Sequence, residues 1–502
     1  MSAGAAQRRP RRPRDTRDTN DARRAPPPAN RPQRTSRHIL IMITSIVRHT
    51  YAELVRDGRF RLTAAVLVAL ALVAGLAGWQ QVRALHAEAE AAAAGERGRW
   101  LGQGDKNPHA AAHYGTYAFK APRPLAVVDP GVQAYLGSAV YLEAHRQNEP
   151  LHRPAQDGTA LQRFGDLSPA LVGQTLLPLL AILLGYAAFA GERERGTLRQ
   201  LLAIGVRPLH LLMGKALGCI AALTLVLAPL AALGVAAAAV LAPPGQRLDE
   251  LLRAMAWVAA HTIYLGTFLF LTLAVSALAR SARIALVVLL GFWLVGVVAL
   301  PRALSDLGRS LHPTPSSIAF RTELDAALGD PHGRETLEAQ RVAILRQYGV
   351  SRTQDLPVNW SGIALQIGEE RANQIFDRFF QGLWSTLDAQ DLVFQLGAFL
   401  SPAPAIKLLS QALAGNDTAQ HLAFLTQAEQ HRREMQRTLN GALRDSKGST
   451  TAFDWNRVPP FVFSPPRLTS ALAPLLPSLA LLTVWFAATA VAASVAVSRL
   501  RA

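Results

Sequence analysis

The chain has 502 residues and one cysteine, Cys219, which lies inside an apolar run, so no intrachain disulfide can brace any solvated part of it. Those parts must be held by packing. Acidic residues are also scarce, 35 against 52 basic ones, and five of the basic residues are lysines. Several catalytic signatures are missing. No G-x-x-x-x-G-K-[ST] phosphate loop exists: Gly214-Lys215 is followed by Ala216, and Leu209 stands where the first glycine would be. The chain therefore cannot bind ATP in the usual P-loop way. It has no G-x-S-x-G nucleophile elbow and no H-R-D kinase loop, so neither hydrolase nor kinase chemistry is supported. A cleavable signal is not expected, because the first long apolar run begins only near Leu62; that run reads as a retained anchor.

The net charge of +17 invites a nucleic-acid reading, but its location argues otherwise. Eleven arginines (Arg8, Arg9, Arg11, Arg12, Arg14, Arg17, Arg23, Arg24, Arg31, Arg34 and Arg37) face only Asp15, Asp18 and Asp21 within residues 1–38, a surplus of eight. This Pro- and Arg-rich tail, residues 1–41, contains no aromatic residue and cannot bury a core, so disorder is expected. It suits holding a terminus in the cytoplasm or touching anionic headgroups, with no nucleic-acid partner. An internal start at Met42 would remove it.

Half of the residues are apolar, and they collect in long uncharged runs. A helix needs about 20 such residues to cross a bilayer. Six windows qualify: 62–81, 170–190, 216–242, 254–279, 284–300 and 469–497. Pro229 in the third, and Pro474 with Pro477 in the sixth, predict a kink or an interfacial first turn. The positive-inside rule tests the count independently. Arg193, Arg195, Arg199, Arg207 and Lys215 follow the second span, Arg280 and Arg283 the fourth, and Arg499 and Arg501 the sixth, so the parity agrees three times. The expected fold is an all-α polytopic membrane protein with both termini cytoplasmic and two mostly helical extracytoplasmic lobes, residues 82–169 and 301–468. Ala84–Arg99 continues the first span, and Gln133–Gln147 reads as an amphipathic helix. Phe320–Tyr348, Gly362–Leu392 and Ala419–Leu443 have helical periodicity, punctuated by Pro313–Ser316 and Asn456–Pro466. Residues 42–61, with Arg56, Asp57, Arg59 and Arg61 beside Leu54, Val55 and Phe60, read as an interfacial amphipathic helix.

The connection at 191–215 opens with Gly191-Glu192-Arg193-Glu194-Arg195-Gly196-Thr197-Leu198-Arg199-Gln200-Leu201-Leu202. It is a charged turn followed by a short helix with Leu198, Leu201 and Leu202 on one apolar face, able to dock in a partner's groove or to lie on the membrane. The run GERERGTLRQLL, followed by GK at the next span, resembles the cytoplasmic loop of type-2 ABC transporter permeases, where an E-x-G-T-L segment contacts the ATPase subunit. Glu192, Glu194, Gly196, Thr197 and Leu198 match that motif, with Leu201 one turn on. The pieces GQGDKNPHAAAHYGTYAF, Asp129-Pro130-Gly131, LEAHRQNE, Arg163-Phe164-Gly165 and SPAPAIKLLSQALAGNDTAQHLAF resemble a subgroup of uncharacterised permeases with large insertions after the first and fifth spans. The resemblance implies a non-enzymatic permease of an ATP-driven exporter in a bacterial inner membrane. It would work with a separate ATPase subunit that carries ATP and magnesium, and with a second permease, identical or similar. The alternative is a membrane receptor or scaffold whose lobes bind a ligand or envelope partner, which leaves the loop motif unexplained.

Three smaller features stand out. His261 lies within the fourth span, where an ionisable residue suggests a translocation path or an interhelical hydrogen bond. Gly214 and Gly218 have the spacing of a close helix contact. His109 and His113 stand four apart, with His145 and His152 later in the same lobe. The pair has no intervening glutamate, and nothing in the sequence fixes a third ligand, so packing is expected there rather than a metal.

Overall fold

A computed structural model describes residues 31–157, 167–330, 332–446 and 453–501. Most of the arginine tail and the Arg163-Phe164-Gly165 segment lie outside these residues. Contacts divide the chain into Met1–Met42 and Ile43–Ala502. The described part of the first unit, residues 31–42, is helical.

Among the described residues six helices are long and apolar enough to cross a membrane: Gly58–Leu101, Pro169–Glu194, Pro208–Leu241, Pro244–Leu278, Ala282–Leu311 and Leu468–Ser498. They overlap the six expected windows, the third and fourth of which run one residue past their helices to Ala242 and Ala279, and the chain is an all-α polytopic membrane protein. The second and fourth spans form the centre: 56% of the apolar window is buried in each, against 11–28% in the other four. Outward positions such as Leu62, Val73, Val287 and Val491 are exposed aliphatics, as a lipid-facing surface requires.

Water does not drive helices together in a bilayer, so close approach and buried polar contacts must do so. Gly214 and Gly218 do so here. Residues 43–56, the last turns of a helix, cross them, and a Cβ added at Gly218 would fall 2.7 Å from Thr50, while one at Gly214 would strike Ile46. This helix ends at Arg56, and Asp57 caps the next one by accepting from the Arg59 N–H at 2.8 Å. Arg59, Phe60 and Arg61 therefore open the first span instead of closing an interfacial helix. The second and fifth spans each contain a wide π-type turn, Val172–Leu176 and Leu294–Ala299, ahead of Pro178 and Pro301. Proline donates no N–H and frees the carbonyl four residues before it. For Pro178 that carbonyl is Gln174, and the Tyr264 hydroxyl donates to it at 2.7 Å, while Trp293 Nε1 donates to the adjacent Thr175 carbonyl at 2.8 Å.

At one end of the bundle the first span continues unbroken to Leu101, a helix of 44 residues, about 66 Å at 1.5 Å per residue. Where Gln133–Gln147 was expected to be helical, only Gln133–Leu136 is. Gly137, at φ 82°, ends that turn. Ala139–Leu142 then pairs antiparallel with Thr116–Phe119, Phe119 opposite Ala139 and Thr116 opposite Leu142. Val140 and Tyr141 favour that pleated surface over a helix. The larger lobe is helical as expected: Ser317–Leu328, His332–Gln347, Trp360–Leu396 and Thr418–Asp445. The two lobes share one core, in which Trp100, Ala118, Val140 and Leu142 of the first meet Phe424, Met435, Leu439 and Trp455 of the second. The helix Pro402–Ala414 belongs to the bundle rather than to a lobe, with Ile406 and Leu409 buried in the transmembrane core among the fourth and sixth spans.

These parts meet at a buried ionic knot. Arg123, from the first lobe, reaches Glu250 Oε1 at 2.5 Å and Asp249 Oδ2 at 3.0 Å at the lobe end of the fourth span. Arg253, fully buried, pairs with Asp249 at 2.7 Å. Its other donors go to the Ala412 carbonyl at 3.1 Å and the Pro466 carbonyl at 2.8 Å. Asp249 Oδ1 accepts from the Leu468 N–H at 2.9 Å, where the sixth span begins. Removing one member of a buried pair strands the other, at about 3–5 kcal/mol. Glu250→Ala is thus expected to lower the Tm of the detergent-solubilised chain by several degrees, whereas Glu338→Ala, on an exposed lobe helix, leaves it unchanged. Equal melting curves would show that the knot contributes no net stability.

Candidate functional site

The connection between the second and third spans sits at the end opposite the lobes. The second span breaks after Gly185, and Ser276 of the fourth span holds the break. Its hydroxyl accepts from the Phe189 and Ala190 N–H groups at 3.0 and 3.2 Å and donates to the Tyr186 carbonyl at 2.8 Å. A short helix, Ala190–Glu194, follows, and each residue of its Glu-Arg-Glu triplet holds a different span. Glu192 takes the Lys215 ammonium of the third span at 2.6 Å. Arg193 donates to the Ala277 carbonyl at 2.6 Å and to the Ala279 carbonyl, capping the fourth span where cations suit a helix C-terminus. Glu194 accepts from the Ala282 N–H at 3.3 Å, at the start of the fifth.

Gly196, at φ 76°, turns the chain into the helix Thr197–Ala203, and the Thr197 hydroxyl donates to the Glu192 carbonyl at 3.2 Å. The apolar face of this helix points inward. Leu198 is buried in the bundle core, and Leu201 and Leu202 pack beside it. The sequence offered this face to a partner's groove or to the membrane surface; in the structure it seats the helix on the bundle. The surface left for a partner is Glu194, Arg195, Arg199, Gln200 and Arg207, with Ile204 exposed at 77% at the helix end. Ile204 escaped the sequence reading because an apolar residue after an amphipathic helix is assigned to its buried face. Ser276 escaped because a lone serine in an apolar run carries no pattern.

His261 lines a cavity of about 360 Å³ bounded by the first four spans, with Leu76, Trp79, Gly173, Leu230 and Trp257 around it. Its Nδ1–H donates to the Trp257 carbonyl at 2.9 Å and its ring stacks on Trp257 at 3.6 Å. Its Nε2 is buried without a partner, in a lining made mostly of aliphatic side chains. A second hollow of about 1060 Å³ opens at the lobe end, lined by Asp129, Arg153, Gln174, Asp391 and Lys407. The two hollows lie on opposite faces of the first turns of the second span, Val172 and Gly173 facing one and Leu171 and Gln174 the other. Burial pushes the Asp129 carboxyl up, and the Ser410 hydroxyl and Gly131 N–H hydrogen-bond to it.

In the first lobe His109 and His113 do come together, rings 5.0 Å apart, and His145 joins them at 5.4 and 4.8 Å. Burial, then the neighbouring His145 and His113, pushes the His109 imidazole down from its usual range. His152 is not part of the group.

Residues 319–464 match a family described as a domain of unknown function, DUF3526. The chain is also similar to the "Probable ABC transporter permease protein NosY" of Pseudomonas aeruginosa, at 40% identity over 131 residues, 26% of this chain and 47% of that protein. The match thus spans about half of that relative's length.

Ser276 satisfies three backbone groups, and a buried group left unpaired costs about 1–3 kcal/mol. Ser276→Ala should therefore loosen the loop without unfolding the bundle. Hydrogen exchange at Phe189–Glu194 is expected to quicken at least tenfold while the fourth span stays protected. Unchanged exchange would mean that the break needs no such clamp.

Proposed function

We propose that this chain is the membrane-spanning permease subunit of an ATP-driven ABC exporter, coupling a separate ATPase subunit to movement of a substrate across a bacterial inner membrane. The observation that carries this reading is the triplet Glu192-Arg193-Glu194, which ties one exposed loop to the third, fourth and fifth spans at once. A partner that pushes on the following helix moves three spans together, as a coupling element must. The similarity to a probable ABC transporter permease supports the same reading. So does the missing phosphate loop; in this reading ATP and magnesium belong to a separate polypeptide. Gly196, Thr197, Leu198 and Leu201 shape and seat the helix; Arg195, Arg199, Ile204 and Arg207 present a basic surface with one apolar tip, complementary to an acidic groove.

In this reading both termini and the loop are cytoplasmic and the lobes extracytoplasmic, which the charge parity supports. A second permease, identical or similar, completes the assembly. The apolar cavity at His261 and the polar hollow above it are two stations on the cargo's route, separated by the π-type turn of the second span.

Affinity purification in mild detergent from the native host tests this. An ATPase subunit is expected to co-purify with the wild-type chain and to fall at least tenfold with the double variant Arg199→Glu, Ile204→Asp, whose membrane insertion and Tm remain as before. If wild type brings no ATPase while its lobes retain another envelope protein, the exporter reading fails and the receptor or scaffold reading replaces it.

A further inference from the structure

The triplet of imidazoles in the first lobe is independent of the coupling loop. His109 lies on the short helix Pro108–Ala112 and His113 caps its end, while His145 follows the strand Ala139–Leu142. One ligand nitrogen from each, taken together, lies within 4.8 Å of the other two.

The surrounding residues fix the third ring. His145 Nδ1 sits 2.8 Å from Glu369 Oε1, and Glu369, on the long helix Trp360–Leu396 of the second lobe, is buried. The carboxylate thus lies beside Nδ1, which leaves Nε2 as the nitrogen open to a ligand. That Nε2 is buried and has no protein partner, as is Nδ1 of His109. Glu369 is itself held: its Oε2 accepts from Asn440 Nδ2 at 2.5 Å. The backbone beside His145 is held equally firmly, because the Ala144 carbonyl accepts from Arg432 Nη1 and Gln436 Nε2, both at 2.7 Å. A buried carboxylate beside one nitrogen of a histidine whose other nitrogen is left free resembles the outer-shell arrangement of metal sites. It is more support than a stacked trio needs for packing alone.

We infer that His109, His113 and His145 form a binding site for a divalent transition-metal ion of the zinc or copper type, with Glu369 as the positioning residue for His145. Imidazole nitrogens without thiolate suit these ions over calcium or magnesium. Zinc–nitrogen bonds of about 2.0–2.1 Å in a tetrahedron set ligand nitrogens about 3.4 Å apart, so the rings need to draw together by roughly 1 Å. His113 is exposed, and three-ligand sites keep a fourth position open, here on the solvent side. Three ligands come from one lobe and the positioning carboxylate from the other, so an ion bound here also fastens the two lobes to each other.

The test uses the full chain in detergent, prepared without a polyhistidine tag, stripped with chelator and titrated calorimetrically with Zn²⁺; Co²⁺ gives a second, spectroscopic readout. The expectation is one Zn²⁺ per chain, and intense visible bands of tetrahedral Co²⁺. Glu369→Gln should weaken binding about 10- to 100-fold, and His145→Ala by more. His332→Ala, exposed on another helix, should leave it unchanged. Should His145→Ala fail to fold, His113→Ala, at an exposed position, decides. No stoichiometric uptake by the wild type, or a His113→Ala chain that binds as tightly as wild type, would overturn the site and leave an adventitious ion or a packed trio.

Discussion

The architecture rests on the knot of Arg123, Asp249, Glu250 and Arg253 at the lobe end of the fourth span. Two guanidiniums with 7% and 0% of their side-chain surface exposed are tolerable only when every donor finds an oxygen, and the pieces of chain that supply those oxygens are thereby forced together. Arg123 brings the first lobe. The Ala412 carbonyl ends the helix Pro402–Ala414, the Pro466 carbonyl and Leu468 N–H bring the start of the sixth span, and the carboxylates belong to the fourth. Apolar contact alone would not select this register, because lipid tails satisfy leucine as well as another helix does. Charges that must be paired can select it.

Six spans were legible in the sequence because their signal is local: each is a run of uncharged residues, and the arginines after the second, fourth and sixth agree in parity. The long lobe helices were legible for the same reason. The failures share the opposite cause. Gln133–Gln147 has a tolerable helical pattern, and only pairing with Thr116–Phe119, distant in sequence, makes a strand of Ala139–Leu142. Pro402–Ala414 reads as lobe because Lys407 and flanking polar residues break its apolar run, yet Ile406 and Leu409 seat it in the bundle. The knot could not be seen at all, since Arg123 and Glu250 lie 127 residues apart.

The sites divide in the same way. Residues of the loop motif were identifiable by type and spacing, but not which side of the helix Thr197–Ala203 faces out; burial of Leu198 in the bundle core decides that, and that core is assembled from residues distant in sequence. His109 and His113 announced themselves at i, i+4. His145 did not, because the hairpin that delivers it was misread, and Glu369 comes from the other lobe altogether.

One element touches both ends. The fourth span, the 32-residue helix Arg247–Leu278, carries Asp249, Glu250 and Arg253 in its first turns and Ser276 and Ala277 in its last, about 35–42 Å apart along the helix at 1.5 Å per residue. It has no internal proline and lies in the middle of the bundle, so bending it would cost packing along its whole length. A displacement of the loop held by Ser276 and Arg193 must therefore tilt or slide this helix as a body. Its far end cannot move without carrying Arg123, Pro466 and Ala412, because leaving either arginine behind would strand a buried charge. The lobes are in this way mechanically continuous with the loop through a single rigid helix, and the ionic knot, not apolar packing, makes the joint stiff.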